Sequence, residues 1–443
     1  MNGKSARPSN AEADRGLSRR GFIGHVAGAI GLAAAPNVLR AAANPRVIVI
    51  GAGFGGATVA KYLRHWSGGA VDVVLIDRSS RHISCVMSNL VLNQRLQMSD
   101  LALGFTDLVQ RYGVTFIQDS VDEIDGPGIR VKLRGGGWLS ADRIVAATGI
   151  NFRNVPGWDK SAVPHAWIAG GQTRLLRDQI AAMPDNGRFV MTIPKSPYRC
   201  PPGPYERACT VADILGRRSG IIGGNAIGAP PKVIVLDEND HIQAEEATFR
   251  RAFEGMYRNI IEYYPNAKLQ AVDSVHRVAQ TSIGDFDGDV LNVIGPQQAS
   301  WFLKTSGLVP TSQRWAPVDV LGYESTVSGC DAVHIIGDSQ GSSQPKSGHM
   351  ANSQAKVCAD AILRRFAGQP LNTAERLANL TTNSACFSPI TYDQASYLTA
   401  VYAYNPATRA MQATKVGEAE RWSREQYRQM FTWADNLWAD SFN

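Results

Sequence analysis

Five prolines crowd a single cysteine between residues 193 and 207. The run reads Ile193-Pro194-Lys195-Ser196-Pro197-Tyr198-Arg199-Cys200-Pro201-Pro202-Gly203-Pro204-Tyr205-Glu206-Arg207. Each proline fixes φ and removes a backbone donor, so this loop cannot form the glycine-rich cradle that holds a phosphate. Arg199 and Arg207 lie close to the cysteine in sequence, and neighbouring cations favour the nucleophilic thiolate. Reactive sulfur is the chemical reading, and an ordinary loop cysteine is the plain one.

A second constellation serves different chemistry. Gly51-Ala52-Gly53-Phe54-Gly55-Gly56 is a GxGxxG run between an apolar strand and a helix. Gly51 allows the tight turn, Gly53 lets the backbone approach a pyrophosphate, and Gly56 lets helix and strand pack closely. The helix N-terminus then offers free N–H groups to the diphosphate. Asp77 ends the next strand, where a carboxylate accepts from the ribose hydroxyls of an adenosine.

The elements that must position these groups are readable from apolar periodicity. Strands are expected at 46–50, 71–76, 114–117, 128–133, 143–147, 188–193, 232–236 and 331–336, with helices at 57–66 and 347–367. Two βαβ openings, at 46 and at 188, recur about 140 residues apart. The sequence therefore predicts an α/β protein of two Rossmann-like dinucleotide-binding domains, the second degenerate because prolines stand where glycines are needed. The expected boundaries are 44–160 with 296–368 for the first domain, 161–295 for the second, and 369–443 for a small C-terminal domain.

Composition narrows the function. At 443 residues, with 44% hydrophobic and 19% charged residues, the chain has the make-up of a multidomain globular enzyme. Its formal charge of +6 is concentrated at one end: residues 1–43 hold six Lys/Arg against Glu12 and Asp14, leaving 39 against 37 beyond. A near-neutral body gives no electrostatic case for nucleic acid. Ser18-Arg19-Arg20-Gly21-Phe22-Ile23, an apolar stretch from Val26 to Ala35, and Ala41-Ala42-Ala43 follow in the order of a twin-arginine export signal over 1–43. Periplasmic residence is the expectation, an oxidising compartment in which the six cysteines (85, 200, 209, 330, 358, 386) can pair. His82, His165 and His349 have no metal-ligand spacing, and no metal is expected.

Two further stretches resemble flavin signatures. Ile144-Val145-Ala146-Ala147-Thr148-Gly149 resembles the ATG segment of FAD-dependent oxidoreductases, and Ile335-Ile336-Gly337-Asp338 their strand-Gly-Asp motif, whose acid holds the ribityl chain. A helix from Ser347 would point its positive N-terminus at the flavin. Arg199 to Ala208, Cys85-Val86-Met87-Ser88-Asn89, Pro164-His165-Ala166-Trp167, Pro345-Lys346-Ser347-Gly348 and Ala351-Asn352-Ser353-Gln354 together resemble the flavoprotein subunit of flavocytochrome c sulfide dehydrogenase. That resemblance implies a glutathione-reductase-like fold. It also implies FAD held covalently through Cys85, a redox-active Cys200–Cys386 disulfide, and Glu206 as acid/base; an exposed carboxylate or an ion pair with Arg207 is the plain alternative for Glu206. Gly51, Gly53, Phe54, Gly55, Gly56, Asp77, Arg78, Val121, Thr148, Gly149, Gly337, Asp338 and Lys346 would hold the cofactor. Cys209, Cys330 and Cys358 read as packing cysteines, Cys209 as a possible competitor in exchange.

The implied activity is oxidation of hydrosulfide to zero-valent sulfur, with no NAD(P) involved and no membrane insertion. The chain has no Cys-x-x-Cys-His, so the electrons would pass to a cytochrome c subunit in a heterodimer. Two alternatives use the same residues: a sulfide:quinone oxidoreductase, and a sulfur-oxidation flavoprotein acting on partner thiols.

Overall fold

Runs of β-branched residues with nothing polar among them form parallel strands covered on both faces, and such runs build the centre of this molecule. The computed structural model describes residues 44–222 and 229–443; the export signal expected at 1–43 lies outside them. The first βαβ unit is β1 (Arg46–Ile50), α1 (Phe54–Trp66) and β2 (Asp72–Asp77), followed by β3 (Thr115–Gln118) and β4 (Arg143–Ala146). The second is β5 (Arg188–Ile193), α2 (Gly203–Arg218) and β6 (Lys232–Asp237), followed by β7 (Ile261–Tyr264) and β8 (Val290–Val293). The chain then makes β9 (Val333–Ile335) and α3 (Gly348–Phe366). It ends with β10 (Thr381–Thr391), β11 (Gln394–Asn405), β12 (Ala410–Glu418) and α4 (Arg424–Phe442).

Two parallel sheets result. The larger has the core order β9-β4-β1-β2-β3, extended beyond β9 by two short antiparallel strands, Val318–Asp319 and Glu324–Ser325. The smaller has the order β7-β6-β5-β8. The larger sheet thus draws strands from both sides of the segment that makes the smaller one. A three-stranded antiparallel sheet opening at Val121, in the strand Val121–Asp125, crosses over between β3 and β4.

The glycine run explains why α1 starts at Phe54, ahead of the expected Ala57: Phe54, Gly55 and Gly56 already form its first turn. Gly51 has φ +92°, and a Cβ there would meet the carbonyl oxygen of Ala147 at 2.6 Å. A Cβ on Gly56 would fall 1.7 Å from the carbonyl oxygen of Gly51, so helix and strand approach closely only because this residue has no side chain. At the other end, Arg64 closes the turn by donating to the carbonyls of Gly69, Val71 and Tyr112.

The C-terminal residues form a three-stranded antiparallel sheet, β10-β11-β12, backed by α4. Ser423 caps α4 by accepting from Gln426 N, and Tyr427, Met430, Ala434, Leu437 and Phe442 are buried along its inner face. The indoles on this helix turn inward. Trp433 Nε1 donates to His349 Nδ1 at 3.2 Å, and Trp438 Nε1 to Ser84 Oγ at 3.2 Å. Lys61 Nζ on α1 donates to the carbonyls of Ala439 and Asp440, tying the helix end to the glycine-run unit.

Candidate active site

The dinucleotide half is built at the carboxyl ends of β1, β2, β4 and β9. Asp77 Oδ2 accepts from Ala52 N at 2.8 Å and Oδ1 from Ser79 N, so the carboxylate holds the glycine loop in place, while Arg78 beside it is exposed. Gly149 and Gly337 take left-handed φ values of +67° and +70°, turning the chain sharply at the ends of β4 and β9. Thr148 Oγ1 and Ser339 Oγ lie 3.4 Å apart, joining those two turns.

Whether these residues suit FAD is tested by the polar atoms they leave over. Asp338 Oδ1, Trp315 Nε1 and Gln340 Nε2 are buried with no hydrogen-bond partner among the described residues. Buried polar atoms are normally satisfied, so orphans of both donor and acceptor type around Asp338 and Lys346 fit a polar cofactor. Lys346 is also buried here, its Nζ 3.8 Å from the Trp315 ring centroid and donating to the Gln340 carbonyl at 2.5 Å. Burial brings its ammonium down to about 7 against the pull of Asp338.

A cleft open to solvent is lined by Cys85, Cys200 and Cys386 together with Arg199, Glu206 and Trp433. Three elements bring the sulfurs in. Cys85 sits in a bend just after the short strand Arg81–Ile83, Cys200 sits just before α2, and Cys386 lies in β10, which packs against α2. Cys200 adopts φ +58°, a left-handed conformation unusual outside glycine, secured by Cys200 N donating to the Lys346 carbonyl at 2.7 Å. Gly203 makes room for it: a Cβ there would be 2.7 Å from Cys200 Sγ and 2.9 Å from Trp167. All six cysteines are free thiols, so the disulfide expected between Cys200 and Cys386 is not formed in this structure, although both line the one cleft.

The arginines do something other than the sequence suggested. Arg199 Nε pairs with Asp338 at 2.7 Å, and its Nη1 donates to Cys85 Sγ at 3.3 Å and to the Trp167 carbonyl at 3.1 Å. Arg207 is buried, donating to Asn89, Asn292 and the carbonyls of His165 and Ala166. Neither makes Cys200 a thiolate: burial, then the proximity of Cys386 and Glu206, pushes its thiol well up. Burial likewise pushes Cys386 up to about 12.

Glu206 is neither exposed nor in an ion pair with Arg207. It sits in the first turn of α2 and accepts from Asn89 Nδ2 at 3.0 Å, while Arg207 Nε donates to Asn89 Oδ1 at 3.0 Å. Asn89 thus stands between the two, and burial raises Glu206 to about 8, so it holds its proton at neutral pH. Asn89 was legible in the Cys85–Asn89 motif as sequence, but its bridging role was not. His349, which has no metal-ligand spacing in the sequence, accepts at Nδ1 from Ala385 N, next to Cys386, and from Trp433. Cys209 and Cys358 are fully buried in α2 and α3, and Cys330 packs under Gly126; none of them lines the cleft.

Two parallel nucleotide-binding-type sheets, a glycine cradle and a cleft with three sulfurs define a flavin-dependent disulfide oxidoreductase architecture. Residues 45–176 match the family described as pyridine nucleotide-disulphide oxidoreductase, and residues 173–295 the one described as sulfide dehydrogenase (flavocytochrome c) flavoprotein chain, central. The chain belongs to the FAD-containing disulfide-oxidoreductase flavoproteins. It is 22% identical over 343 residues to the mitochondrial sulfide:quinone oxidoreductase of Dictyostelium discoideum, covering 74% of this chain and 72% of that one. Over 46 residues, 10% of this chain and 94% of the other sequence, it is 44% identical to a sulfide dehydrogenase (flavocytochrome c) flavoprotein chain of Chlorobaculum thiosulfatiphilum. Its fold superposes on the sulfide:quinone oxidoreductase of Aquifex aeolicus with a TM-score of 0.71 at 16% identity, covering 90% of this chain and 91% of that one.

Proposed function

We propose that this chain oxidises hydrosulfide to zero-valent sulfur through Cys200 and Cys386, and delivers the electrons through FAD to a periplasmic cytochrome c in a heterodimer. The observation that carries this reading is the cleft itself: three sulfurs and a buried, proton-bearing Glu206, joined to the dinucleotide half through Arg199 and Asp338. Hydrosulfide bonds to one sulfur of the oxidised pair, the Sγ–Sγ bond breaks, and the other cysteine takes the electron pair as a thiolate. FAD, when bound, would supply a two-electron acceptor that can pass its electrons on singly. Glu206 holds the proton balance beside the sulfurs, with Asn89 fixing the carboxyl.

No nicotinamide takes part in this reading. Asp237 ends β6, where a second dinucleotide would need a free acid, but it accepts from Tyr205 and Tyr263 hydroxyls at 2.8 and 2.9 Å and from Asn239. Side chains of the protein already occupy that carboxylate.

Electron transfer to quinone is the second reading, favoured by the similarity to sulfide:quinone oxidoreductases and by the apolar cleft wall of Phe387, Met430 and Trp433. Among the described residues no helix is long and apolar enough to cross a membrane. Flavin-loaded protein given sulfide anaerobically is expected to reduce added cytochrome c. Reduction of a short-chain ubiquinone in its place would overturn the cytochrome assignment, and an unbleached flavin would overturn sulfide as substrate.

Covalent attachment through Cys85 has its own readout. In acid precipitation the yellow colour is expected to stay with the polypeptide, and Cys85→Ser to release it. Free FAD from the unsubstituted protein would remove Cys85 from that role.

A further inference from the structure

Behind the cleft lies a second buried carboxyl that takes no part in the proposed disulfide chemistry. Glu245 is 1% exposed and takes a left-handed φ of +50° at the start of the helix Glu246–Arg251. Its Oε2 accepts from Ser388 Oγ at 2.5 Å, and the Ser396 hydroxyl faces the same carboxyl, although among the described residues Oε1 has no well-formed hydrogen bond. Ser388 is two residues along β10 from Cys386, on the same face of the strand. A strained backbone that buries a half-satisfied acid beside a reacting sulfur calls for a role.

Among the described residues no cation compensates it. The groups that face it are Glu206 and Cys209 from α2, Cys386 from β10 and Glu418 from the end of β12. The arginines of its own helix are engaged elsewhere, Arg250 with Glu246 and Glu254, and Arg251 with the Glu420 carbonyl. With only hydroxyls around it, a carboxylate here raises the cost of any further negative charge in the same enclosure.

We propose that Glu245 is a positioning residue for the cysteine pair: its neutral carboxyl lets Cys386 bear negative charge, and its carboxylate opposes this. The inference rests on the assignment of Cys200 and Cys386 as the reacting pair. Burial raises Glu245 to about 7, so the switch falls within the working pH range. Below that value the acid is neutral and Cys386 opens to a thiolate more readily; as pH rises through it, the new charge holds the Cys386 thiol up.

The test follows the reduced protein rather than turnover. Alkylation of Cys386 by iodoacetamide, counted by mass spectrometry from pH 6 to pH 9, is compared between the unsubstituted protein and Glu245→Gln. The two rates are expected to agree near pH 6, where Glu245 is neutral in both senses, and the variant to become about tenfold faster by pH 9, the effect of one unit of thiol pKa. A constant ratio across the range would mean that Glu245 only holds the strand, and would overturn the proposal. Should Glu245→Gln fail to fold, an infrared band of a buried protonated carboxyl in Glu206→Gln protein is the alternative readout; it must vanish as pH passes from 6 to 9. Non-reducing mass spectrometry of oxidised protein separates the premises, because absence of a Cys200–Cys386 bridge there sinks the pair itself.

Discussion

Protein carrying Cys200→Ser is expected to keep its flavin and to lose sulfide-dependent bleaching by at least about a thousandfold. Serine preserves the side-chain volume in the left-handed turn but offers hydrosulfide no disulfide to attack. Cys386→Ser should do the same, and the double variant should be no worse than either single one, because two sulfurs that act as one bond fail together. Stopped-flow absorbance of the flavin under anaerobic sulfide reads all three. Bleaching at an undiminished rate in either single variant would discard the shared-bond scheme, whereas loss of the flavin would mean the residue holds the cofactor. The prediction depends on the oxidised pair, so the dithiol form seen here must be oxidised before sulfide is added.

The parts of this site that are local in sequence were legible before any coordinates. GxGxxG between strand and helix encodes a turn that only glycine can make, and the Cβ of Gly56 would collide with the carbonyl of Gly51. The five prolines around Cys200 were readable for the same reason, since proline acts on its own backbone. What failed was inference from nearness in sequence. Arg199 and Arg207 flank Cys200 in the chain, but one guanidinium reaches Asp338, 139 residues away, and the other Asn292, 85 residues away. Side-chain direction at the mouth of a helix is set by packing, which sequence distance does not carry. Glu245 gave no signal at all, because its neighbour Ser388 comes from a sheet 143 residues further on. The antiparallel strands of the C-terminal unit were missed too. β11 is half-buried along most of its length and β12 is mostly exposed, so the apolar alternation that marks a strand is weak.

Arg199 joins the two halves of the site, and its removal should be felt in both. In Arg199→Met the Asp338 carboxylate keeps its burial and loses its partner, and breaking one side of a largely buried pair costs about 3 kcal/mol. The same change strips a donor from Cys85 Sγ and from the Trp167 carbonyl. The unfolding temperature of the flavin-loaded protein should fall by about 3 °C, given how entropy of unfolding scales with size. Arg199→Lys should recover only part of this, since one ammonium cannot serve three acceptors held in a guanidinium geometry. Arg199→Met combined with Asp338→Asn separates charge from shape: it should regain stability over Arg199→Met alone, because the uncompensated carboxylate is gone, yet still bind flavin weakly for want of the ribityl acid. If Arg199→Met unfolds at the unsubstituted temperature and retains its flavin through dialysis, the pair is a surface-like contact, and the link between thiol cleft and dinucleotide half must run through other residues.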